Sequence, residues 1–418
     1  MRLRLETDRR LIRAGARSTR YLVASVIAPT APRREQRLPI NVALVLDRSG
    51  SMEGSKLVLA REAVRRSLEA LDANDRFSIV VYDNIVDVLS PSTPATSQAK
   101  SRALQALELT HARGTTDLGS GWLRGCEQVA RFADGERVSR CLLLTDGLAN
   151  VGIVDRQELA RHADELRRRG VQTSTFGVGA DFDERKLRDM AQAGSGNFYY
   201  IETAAQIPDL VTSELGEALE VVVRGAALEL SLPPGATATP LQRFRHFFAG
   251  GDRELRVELG DLVSGQQMDV VIAIEFDSGI LESEAIVEVT AVASATDAPT
   301  ARAERRWTYA SHTLNDAQPR ERAVDRQVAT LYAARARADA AELNRAGLFD
   351  RARELLSRTA KRIRGYAGTD PELNRIADEL EAELHRFSEP MPAMEMKSTF
   401  FAAHAAMVER SPTGRAKR

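Results

Sequence analysis

Between residues 40 and 217 the chain alternates short apolar runs with segments of helical periodicity, and this alternation limits the possible folds more than any other feature. Apolar residues recur at helical spacing from Leu57 to Leu71. Four runs are typical of strands buried on both faces: INVALVL (40–46), FSIVVY (77–82), CLLLT (141–145) and VQTSTFGV (171–178). Strands separated by helices predict a Rossmann-like, doubly wound α/β domain, in which helices cover both faces of a parallel sheet.

The segments on either side of this α/β region have a period of two. After residue 219, apolar residues alternate with polar ones in ALELSLPPG (227–235), ELRVELG (254–260), QMDVVIAIEF (267–276) and EAIVEVTA (284–291). The N-terminal stretches RLRLE and RYLVASVIA show the same pattern. We expect these early strands to pair with the later ones, so that the α/β domain is inserted into an antiparallel β-sandwich.

The C-terminal part is helical in composition, being rich in alanine, arginine, leucine and glutamate. One stretch resembles a tetratricopeptide-like hairpin, but a solenoid needs at least about three such repeats, so a helical bundle or hairpin is favoured. The final residues predict a flexible tail, within which MKSTFFAAHAAM is able to form a short helix that docks into a groove. The predicted divisions are N-terminal strands 1–37, α/β domain 38–218, β-sandwich 219–312, helical segment 313–388 and tail 389–418.

Length and composition limit the class of protein. A chain of 418 residues exceeds the size of a single core and predicts two to four domains. Its 58 basic and 59 acidic residues give a net charge of −1, which favours neither nucleic acid nor an anionic membrane as a partner. We find no apolar run of the ~20 residues that cross a bilayer and no signal-peptide core. Two cysteines without a CxxC pair lead us to expect a reducing, cytoplasmic setting.

The stretch LDRSGSM follows the first apolar run and carries oxygen side chains at alternate positions. In an extended loop, Asp47, Ser49 and Ser51 can all point to one side of the backbone. Carboxylate and hydroxyl oxygens are hard ligands, which suit Mg²⁺ or Mn²⁺. Ligands of open α/β sheets bind outside the carboxyl ends of the strands, where this loop is predicted to lie.

Two other loops offer the remaining ligands of such a site. RGTTDLGSG (113–121) presents Thr116 just before a helix, and LLLTDG (142–147) presents Asp146 directly after a strongly apolar strand. With the first loop, these side chains make five oxygen groups from three loops. Mg²⁺ takes six ligands and commonly keeps water among them, so the sequence predicts a Mg²⁺ or Mn²⁺ site whose remaining position holds water.

In this order and at these strand ends, LDRSGSM, GTTDLGSG and LLTDG resemble the metal-ion-dependent adhesion site of von Willebrand factor type A domains, over roughly residues 38–218. The resemblance implies that Asp47, Ser49, Ser51 and Thr116 bind the metal or support the groups that bind it, and that Asp146 binds it directly or through water. It also implies that an acidic side chain of a partner protein completes the metal. Arg48 and Thr115 depart from the usual pattern, and Arg48 is expected to alter access to the site or the charge at its rim.

The whole chain is similar to bacterial intracellular proteins of this family and to plant relatives linked to RING domains, although it has no RING cysteines. This resemblance implies a non-enzymatic scaffold or regulatory protein. Implied partners are proteins such as AAA+ ATPases or phosphosignalling proteins, with neither nucleic acid nor membrane among them.

Two alternatives remain open: a metal-dependent phosphohydrolase, and a structural subunit whose metal only stabilises the fold. Phosphatases with an aspartate at a strand end usually carry a second carboxylate two residues later, where this chain has Ser49. The sequence contains no HExxH or GxSxG motif, and its six histidines are scattered. FGVGADF lacks the third glycine of a dinucleotide-binding loop. Binding through the metal is therefore favoured over catalysis.

Overall fold

The computed structural model describes residues 1–30, 37–294, 300–411 and 413–417. Its internal contacts divide the chain into two compact units, each built from separate stretches of sequence. The first unit comprises Met1–Ala31, Val222–Pro392 and Ala402–Arg418, and the second comprises Pro32–Val221 and Ala393–Phe401. The charged stretch APRREQR, at 31–37, whose composition favours a linker, lies outside the described residues except for Arg37.

Strands and helices are numbered here in chain order. The strands are β1 (Arg2–Thr7), β2 (Leu11–Arg13), β3 (Ser18–Ile27), β4 (Ile40–Asp47), β5 (Arg76–Tyr82), β6 (Val86–Pro94), β7 (Val138–Thr145), β8 (Gln172–Val178), β9 (Ser195–Ile201), β10 (Val221–Ser231), β11 (Ala236–Pro240), β12 (Arg245–Phe248), β13 (Glu254–Val263), β14 (Gln267–Phe276), β15 (Glu284–Val292) and β16 (Ala301–Ala310). The helices are α1 (Ser55–Ala70), α2 (Ser97–Glu108), α3 (Leu118–Ala130), α4 (Arg156–Arg168), α5 (Glu184–Ala193), α6 (Ile207–Leu219), α7 (His312–Ala317), α8 (Arg322–Arg345), α9 (Phe349–Ala367), α10 (Pro371–Ala382) and α11 (Ala393–Met407).

The second unit is built on a six-stranded sheet with the order β6-β5-β4-β7-β8-β9. Its strands are parallel except β6, which runs antiparallel to β5. Every residue of β4 and β7 is buried, as expected for strands covered on both faces. Helix α3 packs on β4, β5 and β7, whereas α5 packs on β8 and β9 and α1 packs against α6. The predicted Rossmann-type α/β domain is thus confirmed.

The helices of this domain follow from local sequence. The apolar stripe that predicts α1 is buried from Leu57 to Leu71. Asp155 caps α4, because its carboxylate accepts a hydrogen bond from Glu158 N at 2.8 Å. Strand β6 is not predicted from the sequence, because its polar and half-buried residues lie at the sheet edge, where proline is tolerated.

The first unit contains two further sheets. One has the order β1-β3-β14-β11 and the other the order β12-β13-β10-β15-β16-β2. Strand β3, before the α/β domain, pairs antiparallel with β14, after it, from Ile27 opposite Gln267 to Ser18 opposite Phe276. Residues of both sheets share one hydrophobic cluster, which includes Leu22, Leu228, Val270, Val287 and Trp307. The N-terminal strands therefore complete sheets formed mostly by residues after 220.

Helices α8, α9 and α10 pack against one another within the predicted helical segment. Val324, Val328 and Leu331 of α8 join a cluster with Val23 and Val271 of the four-stranded sheet, so that this helix covers one of its faces. In the part of the chain that the structure describes, no helix is both long enough and apolar enough to cross a membrane.

Where the sequence leads us to expect a flexible tail, the structure has α11, whose first nine residues belong to the second unit. Lys397 Nζ lies 2.8 Å from Glu184 Oε2, and both side chains are buried. The Phe401 ring packs edge-on against Phe198, with centroids 5.9 Å apart. Burial of these aromatic rings and of the ion pair accounts for the order of α11, which contains MKSTFFAAHAAM, the stretch of the tail that the sequence indicates as a short docking helix.

Two helical glycines allow a matched test of how closely α3 packs on the sheet of the second unit. A β-carbon at Gly125 in α3 would lie 2.2 Å from Val45 Cγ2, whereas one at Gly216 in α6 meets nothing within 4 Å. We expect Gly125→Ala to lower the free energy of unfolding by about 1–3 kcal/mol through overpacking. Gly216→Ala should raise it by roughly 0.5–1 kcal/mol, because alanine is the better helix former.

Urea unfolding, monitored by tryptophan fluorescence, measures both effects. In a Trp307→Phe background, Trp122 is the sole tryptophan, and it lies in the second unit. Equal effects of the two substitutions would contradict the close approach of α3 to the sheet.

Candidate metal centre

The three predicted ligand loops meet at the carboxyl ends of neighbouring strands. Parallel pairing places Asp47 of β4 opposite Tyr82 of β5, and Leu46 opposite Leu144 of β7. Asp146 follows β7 directly, so its loop emerges beside the loop that begins at Asp47. The strand order of the sheet therefore brings residues about one hundred positions apart into one site.

The Asp47 carboxylate is fully buried and held at both oxygens. Its Oδ1 accepts a hydrogen bond from Ser49 N at 2.8 Å, and its Oδ2 accepts one from Thr145 Oγ1 at 2.6 Å. The first contact turns the loop back on itself directly after the strand, and the second fixes the carboxylate against β7. Thr145 has no predicted role from the sequence, although it immediately precedes Asp146.

A chain of close oxygen atoms runs from the first loop to the third. Ser49 Oγ lies 3.1 Å from Ser51 Oγ, and Ser51 Oγ donates a hydrogen bond to Asp146 Oδ1 at 2.6 Å. Around Mg²⁺, with metal–oxygen distances of about 2.1 Å, neighbouring octahedral ligands lie about 3 Å apart. Because these oxygens are hard donors at nearly that spacing, the residues present fit a small divalent cation.

Thr116 faces the same space from the second loop. A β-carbon at Gly147 would lie 3.4 Å from Thr116 Oγ1 and 3.5 Å from Ser51 Oγ, so both hydroxyls border the position above this glycine. The loop is tied to the first one by a hydrogen bond from Gly50 N to Gly114 O at 3.2 Å. Gly114 has a φ of +69°, a conformation that glycine adopts without strain.

The electrostatics of the site reflect two buried carboxylates close together. Burial raises the pKa of Asp47 to about 6, helped by the negative charge of Asp146 and opposed by the hydrogen bonds from Thr145 and Ser49. Lys56 Nζ lies 2.5 Å from Asp146 Oδ2 and balances part of this charge. In the described residues, no group of three or more His, Cys, Asp or Glu side chains is arranged to hold a metal, so a cation here depends on hydroxyls as well as carboxylates.

Arg48 does not lie free at the rim, where its charge would be available to a ligand. Its guanidinium is buried, with Nε 2.9 Å from Asp83 Oδ2, and it also pairs with Asp87. Arg113 Nε approaches the same Asp83 oxygen at 2.7 Å. Burial raises the pKa of Asp83, but the hydrogen bonds from Arg113 and Ile85 N and both arginine charges outweigh it and leave the pKa below its ordinary value.

Asp83 is a polar residue of this edge that the sequence does not single out. The signal was available, because Asp83 directly follows β5 as Asp47 ends β4 and Asp146 follows β7. Of the predicted ligands, the structure links Asp47, Ser49, Ser51 and Asp146 in sequence by hydrogen bonds. Thr116 lies beside them. Their role as metal ligands stays a prediction.

Comparison with known proteins matches residues 41–213 to the family model of the von Willebrand factor type A domain. An uncharacterized protein of Escherichia coli, YfbK, is 28% identical over 250 residues, which make up 57% of this chain and 42% of that protein. An uncharacterized protein of Synechocystis, sll0103, is 28% identical over 224 residues, 53% of this chain and 52% of that protein. Human inter-alpha-trypsin inhibitor heavy chain H4 is 26% identical over 275 residues, 61% of this chain and 29% of that protein.

The matched regions thus span about half, or less, of these relatives. Among solved structures, a von Willebrand factor type A protein from Catenulispora acidiphila superposes with a TM-score of 0.72 at 19% identity, covering 100% of this chain and 97% of that one. The ArnB paralog VWA2 from Sulfolobus acidocaldarius gives a TM-score of 0.59 at 16% identity, covering 97% and 98%. At these identities the likeness is one of fold. Together, the family model and these folds support a von Willebrand factor type A domain at residues 41–213 of this chain.

Proposed function

We propose that Asp47, Ser49, Ser51, Thr116 and Asp146 hold a divalent cation, Mg²⁺ or Mn²⁺, and that an aspartate or glutamate of a partner protein completes its coordination. The protein then acts without catalysis, as a scaffold or regulatory component. The observation that carries this proposal is the oxygen chain Ser49 Oγ–Ser51 Oγ–Asp146 Oδ1, with spacings of 3.1 and 2.6 Å at the carboxyl edge of the sheet.

Coordination arithmetic supports a partner carboxylate. Mg²⁺ takes six oxygen ligands, and the three loops offer five groups, three of which are neutral hydroxyls. Both oxygens of Asp47 are already engaged by Ser49 and Thr145, so this carboxylate is held in place to orient the loop as much as to bind. A cation held mainly by hydroxyls keeps the Lewis acidity that attracts a further anionic oxygen. Type A domains often mediate protein–protein interaction, which agrees with this chemistry.

The side chains around the site favour binding over catalysis. The position at which a phosphatase carries its general acid is Ser49, whose hydroxyl lies beside that of Ser51. Lys56 pairs with Asp146, and Arg48 and Arg113 pair with Asp83. Cations engaged in this way are poorly placed to bind a phosphate ester or to move a proton.

We further propose that this α/β domain is inserted in a β-sandwich, because β3 pairs with β14 across the insertion and both sheets of the first unit share one core.

A cytoplasmic location is part of the proposal and is supported by Cys126 and Cys141, which are buried free thiols. AAA+ ATPases and phosphosignalling proteins remain hypotheses for the partner, based on family resemblance alone.

Metal binding has a direct thermodynamic consequence. A cation that binds only the folded state should stabilise the second unit by about 2.7 kcal/mol at a free concentration one hundred times its Kd. In the Trp307→Phe background, Trp122 fluorescence reports the unfolding of the second unit. The urea concentration at the midpoint of this unfolding should therefore rise with Mg²⁺ and return to its starting value with EDTA. Asp146→Ala should abolish the shift, whereas Asp134→Ala, an exposed aspartate away from the site, should retain it. A shift that survives Asp146→Ala would place the metal elsewhere.

Partner binding is tested by affinity capture with full-length baits. Wild type and Asp47→Ala are each incubated with lysate of the source organism in Mg²⁺ or in EDTA, and bound proteins are quantified by mass spectrometry. We expect at least one protein to be retained only by wild type with Mg²⁺. If the same proteins are captured in all four conditions, the interaction does not depend on the metal. The metal would then have only a structural role. Turnover of a phosphate ester that disappears in Asp47→Ala would instead support the phosphohydrolase.

A further inference from the structure

Exposed apolar side chains are concentrated next to the metal centre. In the described part of residues 37–221, seven large apolar side chains are exposed, and four of them lie on only two loops. Ile85, 51% exposed, is on the β5–β6 turn, whereas Leu148, 55% exposed, shares the β7–α4 loop with Val151 and Val154. Single exposed apolar residues are ordinary, but a cluster beside a binding site indicates an interaction surface.

The β7–α4 loop is fixed against the loop that carries Thr116. The backbone N–H groups of Asn150 and Val151 both donate to Thr116 O at 3.3 Å, and Thr116 N donates to Asn150 Oδ1 at 3.1 Å. A β-carbon at Gly152 would lie 2.4 Å from Asp117 Oδ1, so this part of the loop also lies close to the start of α3. Val151 is therefore held beside Thr116, and Leu148 follows the glycine that borders both Thr116 Oγ1 and Ser51 Oγ.

The β5–β6 turn is fixed on the other flank. Asp117 N donates to Asp83 O at 2.9 Å, and Ile85 N donates to Asp83 Oδ1 at 2.6 Å. A β-carbon at Gly114 would lie 2.1 Å from Asn84 Oδ1, so the turn packs directly on the Thr116 loop. Because β5 and β7 lie on opposite sides of β4, Ile85 stands on one side of the metal centre and Leu148 with Val151 on the other.

Three cations at this rim, Arg48, Arg113 and Lys56, are already paired within the domain. Asp83 and Asp87 pair with Arg48 and Arg113, and Asp146 pairs with Lys56. Because these cations are already paired, the bound metal is the main positive charge available to attract an anion. The surface therefore suits a single acidic group surrounded by apolar ones, rather than an acidic run or a polyanion.

We infer that Ile85, Leu148 and Val151 form a docking surface for an extended segment of a partner protein in which apolar residues flank the metal-binding aspartate or glutamate. This inference rests on the proposed metal-dependent function and specifies its partner. An extended chain advances about 3.3 Å per residue, so the residues one or two positions from the acidic one extend about 3–7 Å to either side of it, toward the flanking loops. The metal then supplies the attraction for the carboxylate, and the apolar loops select the neighbouring sequence.

A displayed peptide library tests the inference. Each peptide carries a fixed central aspartate between five randomised positions on either side, and peptides bound to the full-length protein in Mg²⁺ are eluted with EDTA. We expect wild type to enrich apolar residues within two positions of the aspartate. The double variant Leu148→Ser/Val151→Ser should lose this enrichment and bind the best selected peptide about tenfold more weakly, whereas the control Val58→Ser/Leu109→Ser, also exposed, should match wild type.

The outcomes separate this inference from the proposed function. Two results would overturn the docking surface and leave metal-dependent binding intact. In one, wild type selects Mg²⁺-dependent peptides without enriching apolar residues; in the other, the double variant enriches apolar residues as much as wild type does. No EDTA-eluted peptide, together with no Mg²⁺-induced stabilisation, would overturn both. Retained Mg²⁺-induced stabilisation shows that the double variant is folded, and Ile85→Ser on the opposite loop provides an independent second variant with the same expected loss.

Discussion

The close burial of two carboxylates, Asp47 and Asp146, is the constraint on which the rest of the site depends. In a poorly solvated environment, neighbouring negative charges destabilise each other, and both burial and the charge of Asp146 raise the pKa of Asp47. Hydrogen bonds from Ser49 and Thr145 and the ammonium of Lys56 offset part of this cost. A divalent cation would offset more of it than any of these groups, because it interacts with both carboxylates at once.

The strand order of the α/β domain brings the two carboxylates together. Parallel strands place their carboxyl ends on one edge, and the order β5-β4-β7 makes neighbours of loops that are far apart in sequence. Helix α3 follows the Thr116 loop and is held on the sheet by close glycine contacts and by Trp122, whose Nε1 donates to Thr173 Oγ1 at 3.1 Å. The rigid sheet and helix therefore position loops whose side chains carry the chemistry.

Much of the candidate site could be predicted because its signals are local. The buried strands β4 and β7 contain the apolar runs VALVL and CLLL, and the oxygen side chains stand at or just after the ends of these strands. Strand β6 is not predictable in this way, because a half-buried edge strand lacks an apolar run. The order of α11 depends on Lys397 finding Glu184 more than two hundred residues away, and no short-range pattern encodes this contact. The importance of Thr145 lies in a hydrogen bond to another loop, which the sequence does not show, whereas the position of Asp83 directly after β5 is a local signal and only its pairing with Arg48 is not.

The central claim is that the three loops hold a divalent cation with a position available to an outside carboxylate. The most direct measurement is a crystal structure of the full-length protein grown with Mn²⁺, with data collected to record its anomalous scattering. We predict an anomalous peak bordered by Ser49 Oγ, Ser51 Oγ and Thr116 Oγ1, with water or a foreign carboxylate among its ligands. A structure with saturating Mn²⁺ and no peak at this edge, or with all six ligands supplied by the chain itself, would contradict the account.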